Sequence, residues 1–581
     1  MGIPFSTMTG CRWLVGASLL AGASATLAAQ ETNPGRGAPF PVSIRVDAAR
    51  PEGALRPIWR FFGADEPNYA TMKDGRRLLA ELGDLRPRQV YFRTHNLLNT
   101  GDGTPALKWG STNAYIEDAQ GRPAYDWTTL DRIFDGYLAR GVRPYVEIGF
   151  MPRALSTRPE PYQHEWRPGL RYDLITTGWA YPPTDYAKWG TLVYRWVQHC
   201  VERYGRPEVE QWYWEVWNEA NIAAYWRGTP EEFYRLHDVA VAAVRRALPT
   251  ARVGGPDVAG DGGTFMDGFL HHVVEGTNAV TGTRGTPTDF LSFHAKGSPS
   301  FVDGHVRMGI AAQLTTIDRG FARIAAAPAL RQRPIVIGES DPEGCAACQG
   351  AQLGYRNGTM YSSYTAATFA RIHDLAARRG VTVDGALTWA FEFEDQPYFA
   401  GFRALASNGI DLPVLNAFRL FSRMGADRVT ATSSGEIPLD SIVASGVRGR
   451  PDVGVLASRD AARLTVLVWH YHDDDVAGPD AEVTLSFAGL PAAAREPRVA
   501  QYLVDGAHAN AYAEWRRMGA PIAPNDAQYA RLRDAARLDP VASQAALAGT
   551  AGERVLRFRL PRQGVTLFVV DWSDARPRVS P

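Results

Sequence analysis

The chain has 581 residues, 45% hydrophobic and 11% aromatic, enough to bury at least one large core and to fold as two domains. Its 62 Lys and Arg balance its 62 Asp and Glu, so no blanket charge draws it to nucleic acid or acidic lipid, and a neutral substrate fits better than a polyanion. The 16 Trp and 23 Tyr supply flat faces of the kind that stack on sugars, although protein cores use aromatics too.

Residues 1 to 29 carry Arg12, the apolar run Trp13 to Ala21 and a small-residue stretch ending Thr26-Leu27-Ala28-Ala29, the pattern of a cleavable secretory signal. The expected mature chain starts near Gln30, in the periplasm or outside the cell, and Cys11 leaves with the signal. The apolar run is too short to span a bilayer and no later stretch of about 20 apolar residues follows, so membrane insertion is not expected. In an oxidising compartment Cys345 and Cys348 could close a small loop disulfide. A zinc site there would need two more ligands close by. Cys200 reads as a buried free thiol.

Residues 30 to 55 contain the alternating run Val42-Ser43-Ile44-Arg45-Val46, which is expected to add a strand to a later sheet. From 56 to 425, short runs rich in Val, Ile, Phe and Tyr alternate with amphipathic helix patterns. The candidate strands are Pro57 to Gly63, Gln89 to Arg93, Pro144 to Ile148, Trp212 to Trp217, Arg252 to Gly255, Phe290 to His294, Ile335 to Ile337 and Ala386 to Phe391. Eight such units predict a (β/α)8 TIM barrel, an α/β fold. Between them, Thr229-Pro230-Glu231-Glu232 reads as a capping box with proline in the first turn, and Asp126 as the cap of a helix that stops at Gly141.

From 426 to 581 the period changes to alternation, in Arg463 to Trp469, Val483 to Phe487, Val555 to Leu560 and Val565 to Val570. Half-buried antiparallel strands have this pattern, so a C-terminal β-sandwich is expected. The Pro- and Ala-rich stretches at 491 to 498 and 536 to 551 read as loops. The run Trp469-His470-Tyr471-His472-Asp473-Asp474-Asp475 has metal-ligand residue types, but at a strand end it reads as a solvated turn. No metal and no cofactor are expected, and the glycines at 254 to 263 lack the spacing and following helix of a dinucleotide fingerprint.

The chemistry is expected at the carboxyl ends of the barrel strands. The fourth closes as Trp214-Glu215-Val216-Trp217-Asn218-Glu219 and the seventh as Ile337-Gly338-Glu339. A buried carboxylate is costly unless paired or used. Strands four and seven face each other across an eight-stranded barrel, so their glutamates can flank one sugar ring at the roughly 5 Å separation of retaining glycosidases. Burial among tryptophans and repulsion from Glu339 would favour protonated Glu219 as the acid/base, leaving Glu339 as the nucleophile. Against this stands a purely structural pairing of both glutamates with arginine at the barrel rim, which the shared strand-end position disfavours. Glu215 is expected deeper in the barrel with a basic partner such as Arg93. Glu343, after Pro342 in a loop, is the rival nucleophile but would be poorly fixed. His95, His294 and Trp389 stand at other strand ends, and Asn218 can donate to the hydroxyl beside the reacting carbon. The aromatic loop from Met151 through Tyr162, His164, Trp166, Tyr172, Trp179 and Tyr181 is expected to wall the pocket.

From about residue 40 onward these residues resemble glycoside hydrolase family 39, a group of (β/α)8 retaining enzymes. The resemblance rests on Trp214 to Glu219, Arg93-Thr94-His95, Asp289 to His294, Ile337-Gly338-Glu339, the barrel exit around Pro413, Asn416, Ala417 and Phe418, and the later segment with Asp505, His508, Asn510, Ala511, Tyr512, Trp515, Met518 and Gly519. It implies a β-xylosidase-like exo-glycosidase acting on plant cell-wall oligosaccharides, with Glu219 and Glu339 as the pair and Asn218, His95, His294 and Trp389 around the sugar. Ala220 stands where the family has proline. Glu394, in Glu392-Phe393-Glu394-Asp395-Gln396, is the candidate for the acidic group that xylosidases place after the strand-eight tryptophan. The segment does not align cleanly, which leaves open another sugar (arabinose-containing, uronic acid or exopolysaccharide) and, from a different class, a non-catalytic carbohydrate-binding barrel. The oligomeric state is also open, a monomer included.

Overall fold

In a computed structural model the described residues are 37–163, 177–491, 494, 497–541, 548–550 and 553–573; the signal-like segment lies outside them, as do His164, Trp166 and Tyr172 of the aromatic loop. Eight parallel strands close a barrel: β1 Phe61–Ala64, β2 Val90–Thr94, β3 Val142–Ile148, β4 Tyr213–Val216, β5 Arg252–Val258, β6 Phe290–Lys296, β7 Ile335–Asp341 and β8 Val383–Thr388. A helix follows each strand: α1 Lys73–Leu85, α2 Thr128–Leu138, α3 Tyr186–Tyr204, α4 Pro230–Ala247, α5 Gly263–Glu275, α6 Ile310–Ala325, α7 Thr359–Arg379 and α8 Pro413–Ser422. The chain is therefore a TIM barrel with a second, mainly antiparallel domain behind it. The expected strands all fall in the barrel, with shifted ends. β1 begins four residues later than expected, after a turn at Trp59, and β8 stops at Thr388, before Trp389.

The two-residue period of the strands sorts the barrel interior into layers. The lowest is aromatic: Phe61, Tyr91, Tyr145, Tyr213 and Phe290 cluster with Val336 and Leu387, with Phe61 stacked on Tyr91 at 5.1 Å and Tyr145 on Tyr213 at 5.0 Å. Two residues further along the same strands come Arg93, Glu147, Glu215 and Ser292, and two further again His95 and His294. An apolar plug thus carries a charged layer, and the charged layer carries the site. Around the barrel, α4 starts on the expected capping box, Thr229 accepting from the Glu232 amide at 3.1 Å while Glu232 accepts from the Thr229 amide at 2.7 Å.

The second domain is one ten-stranded sheet that includes Phe40–Ala54. That N-terminal strand pairs parallel with Ala481–Ala488 and antiparallel with Asp427–Ser433, and its Val42, Ile44 and Val46 are buried. The sheet folds over itself as a sandwich: Phe558 and Phe568, six places apart in the strand order, meet at 4.7 Å between ring centres. The expected strands are present as Arg463–Tyr471, Ala481–Ala488, Glu553–Leu560 and Val565–Asp571. Asp427–Ser433, Asp452–Asp460 and Arg498–Val504 join them, as do short strands Pro540–Val541 and Ala548–Thr550 inside a stretch expected to be loop. Asp452–Asp460 shows no alternation because both of its faces are covered. Helices Ala511–Arg517 and Asp526–Ala536 run from the sandwich to the barrel, where Tyr512 and Trp515 pack on Phe399 and Asn416 donates to the carbonyls of Ala509 and Ala536.

Candidate active site

A cavity of about 550 Å³ opens at the carboxyl ends of the strands, lined by Asp65, Glu66, His95, Trp109, Glu219, Tyr225, Glu339, Glu343, Trp389 and the 344–348 loop among others. Ligand cavities are typically of this size and mix apolar walls with a few placed polar groups.

Local backbone geometry delivers the two glutamates. Past the end of β4, Trp217 and Glu219 take left-handed conformations at φ 73° and 47°, and the Glu219 amide donates to the Asp257 carbonyl at 2.8 Å. Non-glycine residues held this way are characteristic of sites whose geometry the surrounding structure dictates. On β7 the pairing slips by one residue between Ile337 and Glu339, so that Glu339 lies opposite His294 of β6. Gly338 makes the slip feasible, because a methyl group there would overlap the Asp257 carboxylate.

His294 ties the pair together. Its Nδ1 lies 2.8 Å from Glu219 Oε1 and 3.8 Å from Glu339 Oε2, and its Nε2 lies 2.7 Å from Asp257. The two carboxylates thus meet at one nitrogen over the same cavity. Glu339 is further surrounded by Lys296 Nζ at 2.6 Å, His95 Nε2 at 3.5 Å and Arg93 Nη1 at 3.7 Å. Burial alone would push its pKa up, but His294, Lys296 and His95 outweigh it and hold Glu339 well below the usual carboxylate range. Burial disfavours charge on His294, but Asp257, Glu339 and Glu219 outweigh it and hold its pKa well above the ordinary imidazole value. Burial disfavours charge on His95 as well, yet Glu147 at 2.6 Å lifts it to about 9.

Below the pair, Arg93 is fully buried and meets Glu215 at 2.6 Å, Glu147 at 2.9 Å and Asp257 at 2.5 Å. Glu215 thus sits deep in the barrel with the partner expected for it. Burial, with Asp257 close by, pushes Glu215 up to about 8 despite Arg93. Arg93 also donates to Asn218 Oδ1 at 3.0 Å. This fixes the amide so that Nδ2, buried and without a partner among the described residues, is the donor left over for a ligand. Trp389 forms a wall, its ring 4.3 Å from that of His95.

The structure therefore brings together Glu219, Glu339, Asn218, His95, His294 and Trp389. Glu394 is placed elsewhere: its Oε1 accepts from the Gly75 amide at 2.6 Å, in the first turn of α1, and it does not line the cavity. A carboxylate near a helix start satisfies free amides there, and that interaction takes Glu394. Glu392 likewise turns to the Gly409 amide at 2.8 Å. Glu343 lines the cavity but is firmly fixed rather than loosely held, by Arg403 at 2.6 Å, Arg356 at 2.8 Å, Tyr355 at 2.9 Å and the Cys345 amide at 2.7 Å. Cys345 and Cys348 are disulfide-bonded and Cys200 is a buried free thiol. In the aromatic loop, Trp179 stacks behind the cavity on Phe150 at 4.4 Å, and neither Tyr162 nor Trp179 reaches the cavity. The His470 to Asp475 run is not the solvated turn expected, since His470, His472 and Asp473 are buried: His470 bonds the Leu560 carbonyl, His472 that of Arg448, Asp474 pairs with Arg307, and Tyr471 donates to Asp473.

Sequence reasoning missed Asp65 and Glu66, which follow β1 directly. The same strand-end rule that found the glutamates of β4 and β7 applies to Phe61-Phe62-Gly63-Ala64-Asp65-Glu66. Trp109 and Tyr225 arrive on loops that carry no periodic signal.

Among known proteins, the chain is similar to the β-xylosidase of Geobacillus stearothermophilus, at 27% identity over 75% of this chain and 77% of that one. It is also 27% identical to the human α-L-iduronidase, over 94% of this chain and 81% of the relative. Its fold matches the crystal structure of the GH39 enzyme from Xanthomonas axonopodis pv. citri, with a TM-score of 0.70 at 22% identity, covering 94% of this chain and 99% of that one. The model of glycosyl hydrolases family 39 matches residues 42–553, which span the barrel and the sandwich up to the start of its strand Glu553–Leu560: the protein is a glycoside hydrolase and belongs to that family.

Proposed function

We propose that the protein is a retaining, exo-acting β-xylosidase that works by double displacement on plant cell-wall oligosaccharides in the periplasm or outside the cell. The observation that carries the mechanism is the shared edge of His294, which sets Glu219 and Glu339 at 2.8 and 3.8 Å from one nitrogen over one cavity. Glu339, kept ionised by its cationic neighbours, attacks the anomeric carbon and forms a glycosyl ester while Glu219 gives its proton to the leaving oxygen. Water then enters, Glu219 takes its proton, and the ester is hydrolysed with retention. His294 stabilises the Glu219 carboxylate that stands between the two halves. Glu219 is the more open of the two, at 17% against 7% side-chain exposure, as suits a group that must meet both leaving group and water.

The lining supports a neutral sugar. Asp65, Glu66 and Glu343 face the cavity with the catalytic pair; the lining cation Lys108 is engaged by Asp102, and nearby Lys296 is engaged by Glu339 and Asp341, and Arg403 by Glu343. Hydroxyl donors suit such a surface and a sugar carboxylate does not. The second reading is a uronide. It is favoured by Lys296 beside the nucleophile and by the likeness to α-L-iduronidases, which extends over more of the chain than the likeness to the Geobacillus β-xylosidase. A panel of aryl glycosides decides between them: aryl β-xyloside is expected to be the best substrate, ahead of arabinosides and uronides, and Glu339→Ala is expected to lose about 10⁴-fold or more in kcat. Wild-type turnover by Glu339→Ala, or a first-formed product with inverted anomeric configuration, would rule out the mechanism.

A further inference from the structure

Just past β1, the cavity wall carries a buried carboxylate that no described residue bonds, with the charge of Lys108 acting on it only from a distance. Glu66 is 7% exposed, and no hydrogen bond or ion pair from any described residue reaches its side chain. It stands at the cap position of the short helix Pro67–Thr71 yet makes no cap bond, so its oxygens are not spent on backbone amides as those of Glu394 are. The backbone around it is fixed: Asn68 donates to the Ser111 carbonyl at 2.9 Å and accepts from the Ser111 amide at 3.0 Å. Beside Glu66, Asp65 faces the Trp389 indole and lies 3.8 Å from His95 Nε2, the nitrogen that is 3.5 Å from Glu339. The Trp389 ring lies against Gly63 so closely that a side chain there would overlap it, which sets the ring directly against β1. A pyranose seated over Glu339 against Trp389 therefore turns hydroxyls toward Asp65 and Glu66.

We infer that Asp65 and Glu66 form the hydroxyl-reading part of the glycon subsite, with Glu66 accepting from hydroxyls of the terminal neutral sugar and Asp65 bridging that contact to His95. The inference rests on the glycosidase reading above and gives it a specificity element. β1 neighbours β8 in the barrel, so carboxylates at its end reach the same side of the ring as a group following Trp389 would, the place that Glu392 and Glu394 vacate by turning to backbone amides. Burial and the neighbouring Asp65 outweigh the charge of Lys108 and push Glu66 well above the usual carboxylate range, as befits a carboxylate with no bonded donor among the described residues.

The test pairs enzyme variants with substrates, using aryl xylosides that each lack one ring hydroxyl. For wild type, loss of the hydroxyl that Glu66 reads is expected to lower kcat/KM by about 10- to 100-fold. Glu66→Gln is expected to lose a similar factor on the parent xyloside and little more on that one deoxy analogue, so the two losses fail to add. Glu66→Asp, which keeps the charge but withdraws it, should fall between. Glu394→Gln, as a control, should leave the ranking of the analogues unchanged. Glu66→Gln with wild-type kcat/KM, or with the same loss on the parent and on every analogue, would overturn the inference, provided near-UV circular dichroism shows the variant folded. If wild type cleaves no xyloside but cleaves another neutral aryl glycoside, only the xylose assignment fails, and the same cycle on deoxy analogues of that sugar decides the role of Glu66. A wild-type preference for an aryl uronide would overturn the inference itself, since it assigns Glu66 to a hydroxyl of a neutral terminal sugar.

Discussion

Lys296 Nζ stands 2.6 Å from Glu339 and 2.6 Å from Asp341, and Asp341 also accepts from the Trp389 amide at 2.9 Å. One side chain thus holds the ionised oxygen of Glu339 and ties β6, β7 and Trp389 together. Burial opposes ionisation of Glu339, and Lys296 is one of the charges that reverse the balance. Lys296→Met should therefore raise the Glu339 pKa. Activity depends on the ionised form, which exists above that pKa, so the acidic limb of the kcat/KM profile should move to higher pH. A loss of about 10- to 100-fold at neutral pH should accompany it. An unmoved acidic limb with reduced kcat would make Lys296 a purely steric support.

The segment from β7 into the disulfide loop shows how an element can be rigid without regular secondary structure. Glu343 sits between Arg356 and Arg403, and Arg356 also donates to the carbonyls of Ala346 and Cys348 at 3.0 and 2.8 Å. Burial pushes Glu343 upward, but the two guanidiniums prevail and hold it at about 2, below its ordinary 4.5. A depressed carboxylate adds stability above its unfolded pKa, and this is lost as pH falls from about 4.5 toward 2. Glu343→Gln should cost about 3 to 5 kcal/mol at neutral pH, because it leaves buried arginines without their counter-charge. In urea unfolding, the gap between wild type and variant should narrow below pH 4.5. A gap that stayed constant with pH would assign the cost to shape rather than charge.

The barrel and the sandwich are joined through charge as well as apolar contact. Arg371 of α7 reaches both oxygens of Asp452 at 3.1 Å, and Asp452, fully buried, also accepts from Trp469 at 2.9 Å and the Ile437 amide at 2.7 Å. Further along, Ser363 of α7 meets Gln563 at 2.7 Å. Removing the cation from a buried pair costs about 3 to 5 kcal/mol. Arg371→Met is expected to lower the thermal midpoint with activity per folded molecule preserved, since the junction lies away from the cavity. A midpoint equal to that of wild type would show that apolar packing alone carries the junction.

What the sequence determined by itself is what depends on local periodicity and on a chemistry tied to strand ends. Eight apolar runs alternating with amphipathic helices predicted the barrel, and the closing motifs of β4 and β7 singled out Glu219 and Glu339, because a barrel of this kind places its working side chains at the carboxyl ends of its strands. The switch to alternation after α8 likewise predicted the sandwich and the strand added from residues 42 to 46. Only the tertiary structure decided where competing partners send each polar group. Glu394 follows Trp389 in sequence, yet the amide of Gly75, 319 residues away, claims it. Glu343 follows a proline in a loop, yet two distant arginines fix it. The bulge that aims Glu339 at His294 exists only because β7 pairs with β6. Glu66 stands out only once the fold shows that no described group satisfies it. Hydrogen bonds and ion pairs between residues far apart in the chain leave no periodic trace, so that part of the site had to be read from the folded molecule.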